Sequence, residues 1–295
     1  MIQIQQATEK DIPEVASFVA ELNSRNPDHV TYLSETLESV RSSFELDLTE
    51  VPFSESFLLA YDGETLVGVC GMEIDLKRKK GYVWGPWIRH EDWHQVADNL
   101  WNHLHGLLKD KVAVLQMAPE SENMNCQQFA ERVGLSLYKE PSYVLRLTAA
   151  AFQPSSNVEI VELNESNRDT FIKLHDTLFP KTYYNANEII ARMSDTRRVF
   201  ITADGLGYLY CEAFPETAEA NLEFVGVDDK ARGRGYASAL LSHAIEWVFS
   251  HETIKEVDLA VYKSNPAFKL YQRLGFKPIH IIIPYEGPFR AVASQ

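Results

Sequence analysis

Cysteine is scarce: Cys70, Cys126 and Cys211 are the only three in 295 residues, and they lie far apart. An odd, scattered set of thiols supports neither a disulfide framework nor a zinc-binding spacing, so no metal is expected. Long apolar runs are missing as well, since none reaches the ~18 residues that a membrane-spanning helix needs. The first residues, MIQIQQATEKD, hold neither a basic cluster nor an apolar stretch, and no secretion leader is expected. Positive charge is in deficit, with 28 Lys and Arg against 42 Asp and Glu and a formal net charge of −14. A nucleic-acid partner requires a basic face, which this balance argues against. The one cationic run, Lys77-Arg78-Lys79-Lys80, falls between two strand-like segments and reads as a solvated hairpin tip. These absences point to a cytoplasmic protein with neither membrane nor nucleic acid as partner. The length, with 45% hydrophobic residues, suffices for two cores.

What is present is organised twice over. Residues 2–6 and 158–163 are short strand-like segments, each followed by polar helix-start residues: Thr8 with Asp11, and Asn164 with Asn167 and Asp169. Residues 56–61 and 65–74 flank Asp62-Gly63, and residues 199–203 and 207–214 flank Asp204-Gly205. Asp-Gly between alternating runs predicts a hairpin in each half. In the first half a helix with Leu100, Leu104 and Leu107, a strand over 112–117 and a helix ending in Arg132-Val133-Gly134 follow. Small and polar residues over 148–157 read as a linker between domains spanning 1–147 and 158–295.

The most informative stretch covers residues 222–249, LEFVGVDDKARGRGYASALLSHAIEWVF. An apolar strand over 222–227 enters a glycine-bearing turn, which opens into a helix with apolar residues at Ala237, Leu240, Leu241, Ala244, Ile245 and Val248. That spacing is one helical stripe, so the turn sits at a helix N-terminus, where free amides and the dipole favour a phosphate group. Gly233 and Gly235 let a ligand approach the backbone. Neither common phosphate loop fits. Gly235 is followed by Tyr236 and Ala237 rather than Lys-Ser/Thr, and Ser238 stands where a third glycine would be.

The pattern that does fit is Arg232-x-x-Gly235-x-Ala237 after a strand ending V-x-V-D, joined 30 residues on by NPAFKLYQRLGF at 265–276. Together these resemble the GCN5-related N-acetyltransferase (GNAT) family over roughly residues 157–285. The resemblance implies an α/β fold of two tandem GNAT-like domains. Each would be a mostly antiparallel sheet with a splayed parallel strand pair, flanked by helices. It implies acetyl-CoA as co-substrate, held by Arg232, Gly233, Arg234, Gly235, Tyr236, Ala237 and Ser238, by the strand residues Phe224, Val225 and Val227, and by Asn265 and Phe268. It further implies Tyr271 as a cofactor contact and as the acid that protonates the departing thiolate, although Tyr271 shares a helix face with Ala267, Leu270 and Leu274 and also reads as a core tyrosine. A bulge at Gly226 would let the Val227 backbone pair with the pantetheine arm. Asn265 before Pro266 is explained equally by capping.

Glu223 is the candidate base, since an amine with a pKa near ~10 must lose a proton before it attacks a thioester. Alternation would set it beside Val225 and Val227 on the cofactor side, yet an acceptor-site or salt-bridged glutamate fits as well. Cys211, with no histidine near it in sequence, reads as a small core residue. The first copy departs from the pattern: Glu91-Asp92-Trp93 replace the glycine turn, and Ala130 takes the position of Tyr271. It reads as a degenerate copy. The expected activity is acetyl transfer to a primary amine in a ternary complex, by a monomer or homodimer, with a non-catalytic acyl-CoA-binding module as the alternative. The acceptor, a small molecule or peptide, carries no motif, though an acidic chain suits polyamines, aminoglycoside-like compounds or lysine side chains.

Overall fold

The computed structural model describes residues 2–154, 158–180 and 182–292. The chain divides into two compact units, Met1–Ser142 with His280–Gln295, and Tyr143–Ile279.

The first unit begins with β1 (Ile2–Gln6), α1 (Ile12–Asn23), α2 (Leu37–Leu46), the short α3 (Phe53–Ser56), β2 (Phe57–Asp62), β3 (Thr65–Asp75) and β4 (Lys80–Ile88). It continues with α4 (Trp93–Leu108), β5 (Val114–Met117), α5 (Met124–Arg132) and β6 (Ser136–Leu137). The expected helix start is present, since Asp11 Oδ2 accepts from the Thr8 amide at 2.8 Å. Asp62-Gly63 turns β2 into β3 with Gly63 at φ +62°, as the hairpin signal requires. The apolar stripe of α4 is fully buried at Leu100, Leu104 and Leu108. Leu107, expected on that stripe, is 37% exposed, because Leu108 takes the inward position.

The second unit holds β7 (Ser142–Thr148), β8 (Ile160–Glu162), α6 (Arg168–Leu178), α7 (Ala186–Arg192), β9 (Arg197–Thr202), β10 (Gly207–Phe214) and β11 (Glu219–Val227). Then come α8 (Tyr236–Phe249), β12 (Glu256–Tyr262), α9 (Ala267–Arg273) and β13 (Lys277–Ile282). The final strand is β14 (Tyr285–Pro288).

Strand order shows why the units are discontinuous in sequence. The first sheet runs β1-β2-β3-β4-β5-β14-β6, so the last strand of the chain fills a place between two strands of the first half. In the second unit β7 lies between β12 and β13, while β11-β10-β9-β8 form a separate sheet. Each unit is thus completed by a strand from the other half of the sequence. The division at 147 and 158 read from composition therefore differs from the compact units, which follow strand pairing. The expected linker is also partly structural: the Ala149 amide donates to Lys255 O at 2.8 Å, and Phe152 packs edge-on to Phe249. Its residues 155–157 lie outside the described residues.

Candidate functional site

At the end of β11, the Asp228 carboxylate accepts from the Lys230 amide at 2.9 Å and starts a tight turn. Ala231 is fully buried and pins that turn to the core. Gly233 and Gly235 then adopt φ of +76° and +85°, a region that L side chains enter only at a cost. A Cβ on either would meet nothing within 4 Å, so the turn faces open space. Gly235 is the N-cap of α8, and helix geometry leaves the amides of Tyr236, Ala237 and Ser238 without helical acceptors. These amides, together with the exposed Arg232 and Arg234, form a positively polarised, solvent-facing turn suited to a diphosphate. Among the described residues Arg232 is engaged by exposed Asp229 at 2.9 Å, a weak tie that a stronger anion can displace. The Tyr236 hydroxyl donates to Asp204 Oδ2 at 2.5 Å, which commits its proton within the fold.

Two strands that would hold a pantetheine arm stand apart. β11 is the edge of its sheet and β12 belongs to another, so one flank of the β11 backbone has no strand partner among the described residues. Val225 and Val227 pack against the core cluster to which Leu240, Leu241 and Ala244 of α8 belong. Phe224 points the other way, buried at 5.3 Å from the His175 ring and 5.2 Å from Phe179. Only its main chain is therefore available to a cofactor.

The bulge is present but displaced from its expected position. Tyr210 pairs with Phe224 and Cys211 with Leu222, so the extra residue is Glu223 rather than Gly226. Gly226 has a different reason to lack a side chain: a Cβ there would lie 2.8 Å from Leu178 Cδ1 and 2.9 Å from Tyr208 Cε1. The bulge also breaks the alternation expected of Glu223. Leu222 joins Val225 and Val227 in their cluster, while the Glu223 carboxylate turns to accept from the Tyr183 hydroxyl.

Tyr271 lies on α9, its ring edge-on to Phe276 at 5.7 Å within the core that includes Leu274. Burial raises its pKa, so the phenol keeps its proton at neutral pH, the form from which an acid acts. Asn265 stands one residue before the N-cap of α9, which is Pro266 rather than Asn265 as expected, and its Oδ1 accepts from the Ala267 amide at 2.9 Å, while Phe268 stacks on Tyr143 at 4.9 Å. All three cysteines are free and buried, and burial pushes the Cys211 thiol upward, away from the thiolate.

Several residues escaped the sequence reading. On α6 the buried His175 uses both ring nitrogens, one on the Tyr208 hydroxyl at 2.6 Å and one on Tyr184 O at 2.9 Å. Tyr208, Tyr210 and Glu212 alternate along β10, and buried Glu212 is met by Arg192 at 3.0 Å and Arg197 at 3.2 Å. That period-two run of polar-tipped residues was the signal available in sequence.

The first unit lacks these features. Glu91 and Asp92 precede α4, and the Asp92 amide is already spent on His90 Nδ1 at 3.0 Å. Ala130 does correspond to Tyr271: Leu135 N donates to Ala130 O at 2.9 Å, and Phe276 N to Tyr271 O at 3.1 Å. The parallel pairing of β4 and β5 ends at Tyr82 with Gln116. On the flank of β5 that β4 leaves, residues 29–31 add a strand-like segment, with Thr31 N on Ala118 O and Glu120 N on His29 O, both 3.1 Å. The gap is filled by the chain itself. His29 and His280 stack there at 3.9 Å and 10°, with Glu35 2.7 Å from His280 Nε2. These three could offer ligands to a metal, but stacked parallel rings cannot both aim an in-plane lone pair at one ion.

Residues 160–276 match the profile of the acetyltransferase (GNAT) family. Among solved structures, a GCN5-related N-acetyltransferase from Sphaerobacter thermophilus superposes with a TM-score of 0.74 at 14% identity, covering 100% of this chain and 98% of that one. A tandem GNAT protein from the clavulanic acid biosynthesis pathway gives 0.65 at 15% identity, with 100% of both chains covered. Among curated proteins, none matches the sequence. No described helix is long and apolar enough to cross a membrane. The glycine turn, the edge strand with no partner among the described residues and these likenesses converge: residues 160–276 carry a GNAT-family domain, in a chain whose fold is similar to that of tandem GNAT proteins.

Proposed function

We propose that the chain is an acetyl-CoA-dependent N-acetyltransferase acting on a primary amine, with its cofactor site in the second unit. The observation that carries this reading is the open amide turn, Gly233 to Ser238, at the end of an edge strand with one flank unpaired among the described residues. The thioester supplies an activated acyl group, and the protein supplies position and proton management. Turn amides and Arg232 with Arg234 hold the diphosphate, the β11 backbone lines up the arm, and Asn265 and Phe268 are assigned to the cofactor as well. Glu223, or a water it holds, accepts the proton of the attacking ammonium, and Tyr271 donates one to the leaving sulfur. No metal enters the scheme. A cytoplasmic setting goes with three thiols kept free and buried, and we take the chain to act as a monomer or homodimer.

The first unit is proposed to have lost cofactor binding, since carboxylates replace the cationic turn and residues 29–31 occupy the splayed flank. The test is release of free thiol from acetyl-CoA across a panel of primary amines. Amine-dependent release establishes the transferase. Tight acetyl-CoA binding without release on any amine would instead leave an acyl-CoA-binding module.

A further inference from the structure

Glu223 and Glu212 sit on neighbouring strands, yet their charges are treated differently. Glu212 is neutralised by Arg192 and Arg197 and accepts from the Tyr210 hydroxyl. Among the described residues no lysine or arginine pairs with Glu223, whose partner is the Tyr183 phenol. One carboxylate is thus spent within the fold, and the other keeps a charge that a ligand cation can meet.

The surroundings of Glu223 are aromatic and largely fixed. Tyr184 O can only accept, so His175 Nε2 carries a proton, and this bond together with the contact of Nδ1 with the Tyr208 hydroxyl anchors residue 184 to α6. The Tyr184 ring lies under the Arg192 guanidinium at 4.3 Å. Tyr183, one residue earlier, is different: it is 64% exposed, its ring tilted 31° against Phe224 at 5.1 Å. Phe179 flanks the other side of Phe224. A fixed aromatic floor therefore carries one exposed ring, tethered to the available carboxylate by a single hydroxyl.

We propose that Tyr183, with Glu223, selects the acceptor: a primary ammonium on an apolar or aromatic stem takes the Tyr183 hydroxyl's place on the carboxylate and lays its stem on the exposed Tyr183 ring, which Phe224 backs from below. This rests on the acetyltransferase reading above and names its acceptor class. The ammonium gains both a carboxylate and ring faces, and the stem covers an aromatic surface now left to water. A polyhydroxylated amine finds few hydrogen-bonding partners on that wall and would lose those it makes to water. Tyr183 also acts as a positioning residue, since its donated hydrogen bond fixes the Glu223 rotamer.

The experiment is calorimetry of phenethylamine and glucosamine on the full chain, with acetyl-CoA binding measured alongside. Wild type, Tyr183→Phe, Tyr183→Ala and Glu223→Gln are compared. Phenethylamine is expected to bind wild type well ahead of glucosamine, and Tyr183→Ala and Glu223→Gln to weaken it ~5–30-fold, the range of a desolvated cation–π contact. Tyr183→Phe should retain most of the affinity while kcat falls more than KM changes, because the carboxylate loses the donor that orients it. Unchanged acetyl-CoA affinity in each variant shows that the fold is intact. Equal binding of the two amines, or no effect of Tyr183→Ala, overturns the inference. Wild type binding acetyl-CoA but neither amine also overturns it and leaves the cofactor reading standing; wild type binding none of the three ligands overturns both.

Discussion

At the scale of single residues, Gly235 and Tyr271 carry the clearest expectations. Gly235 is left-handed at φ +85° with open space beyond it, so an added side chain clashes with no neighbour and acts mainly on what binds there. Gly235→Asp should abolish acetyl-CoA binding by placing a carboxylate against the diphosphate. It should cost the fold only ~1–2 kcal/mol of backbone strain. Isothermal titration and a melting curve on the same sample separate the two, and near wild-type affinity would remove the turn from the mechanism. Tyr271→Phe deletes one oxygen from a largely apolar setting. We expect kcat to fall ~10²–10⁴-fold, the usual weight of a general acid, with acetyl-CoA affinity little changed. Steady-state rates with a working amine decide it, and unchanged turnover would return Tyr271 to the core. Both positions were legible in sequence, because glycine spacing and the distance to Gly275 are local properties. The partner of Glu223 was not, since Tyr183 lies 40 residues away and only folding brings the pair together.

Among elements, the segment between α1 and α2 behaves as an inserted strand, and its chemistry is pH-sensitive. Buried Asn23 holds it, donating to Leu33 O at 2.9 Å and Ser34 O at 3.1 Å and accepting from Val30 N and from Trp87 Nε1. Burial, and then the nearby His280, lower the pKa of His29, while Asn23, Glu35 and Glu120 pull it upward. A histidine whose folded pKa lies below the unfolded 6.5 binds fewer protons in the native state. Its stabilisation is therefore complete above that value and drains as pH falls below it. Urea midpoints should drop between about pH 7.5 and pH 5.5, and drop less in His29→Gln. An equal drop in both proteins would assign the loss to other groups. The hairpins, by contrast, were readable from Asp-Gly and alternation alone, because a two-residue turn and its flanking strands are contiguous. The bulge at Glu223 was not readable, since it is a mismatch between two strands and neither strand shows it alone.

For the whole molecule, the two halves repeat their element order but should not repeat their binding. One equivalent of acetyl-CoA per chain is expected, and Gly235→Asp should take the full-length stoichiometry from one to zero. Residual binding by that variant would show that the first unit retains a site. Removing residues 285–295 should open the first unit, because β14 pairs Tyr285 with Met117 and with Leu137 and closes the edges of β5 and β6. Hydrogen exchange at Leu115 and Met117 should rise steeply in that truncation, and unchanged protection would mean that β14 is dispensable. A division of the chain at the compositional linker would strand β14 with the wrong half.

The sequence by itself determined the elements, the glycine turn at a helix start, the repetition and the inequality of its two copies. Each of these depends on residues within a few turns of one another, where spacings of 2 and 3.6 act directly. The tertiary structure decided which strands complete which unit, which flank of β11 stays unpaired, which flank of β5 is filled by residues 29–31, and where Glu223 points. Those outcomes rest on backbone pairing and packing between distant segments, and a strand's own residues state which face is buried without naming the strand that lies beside it.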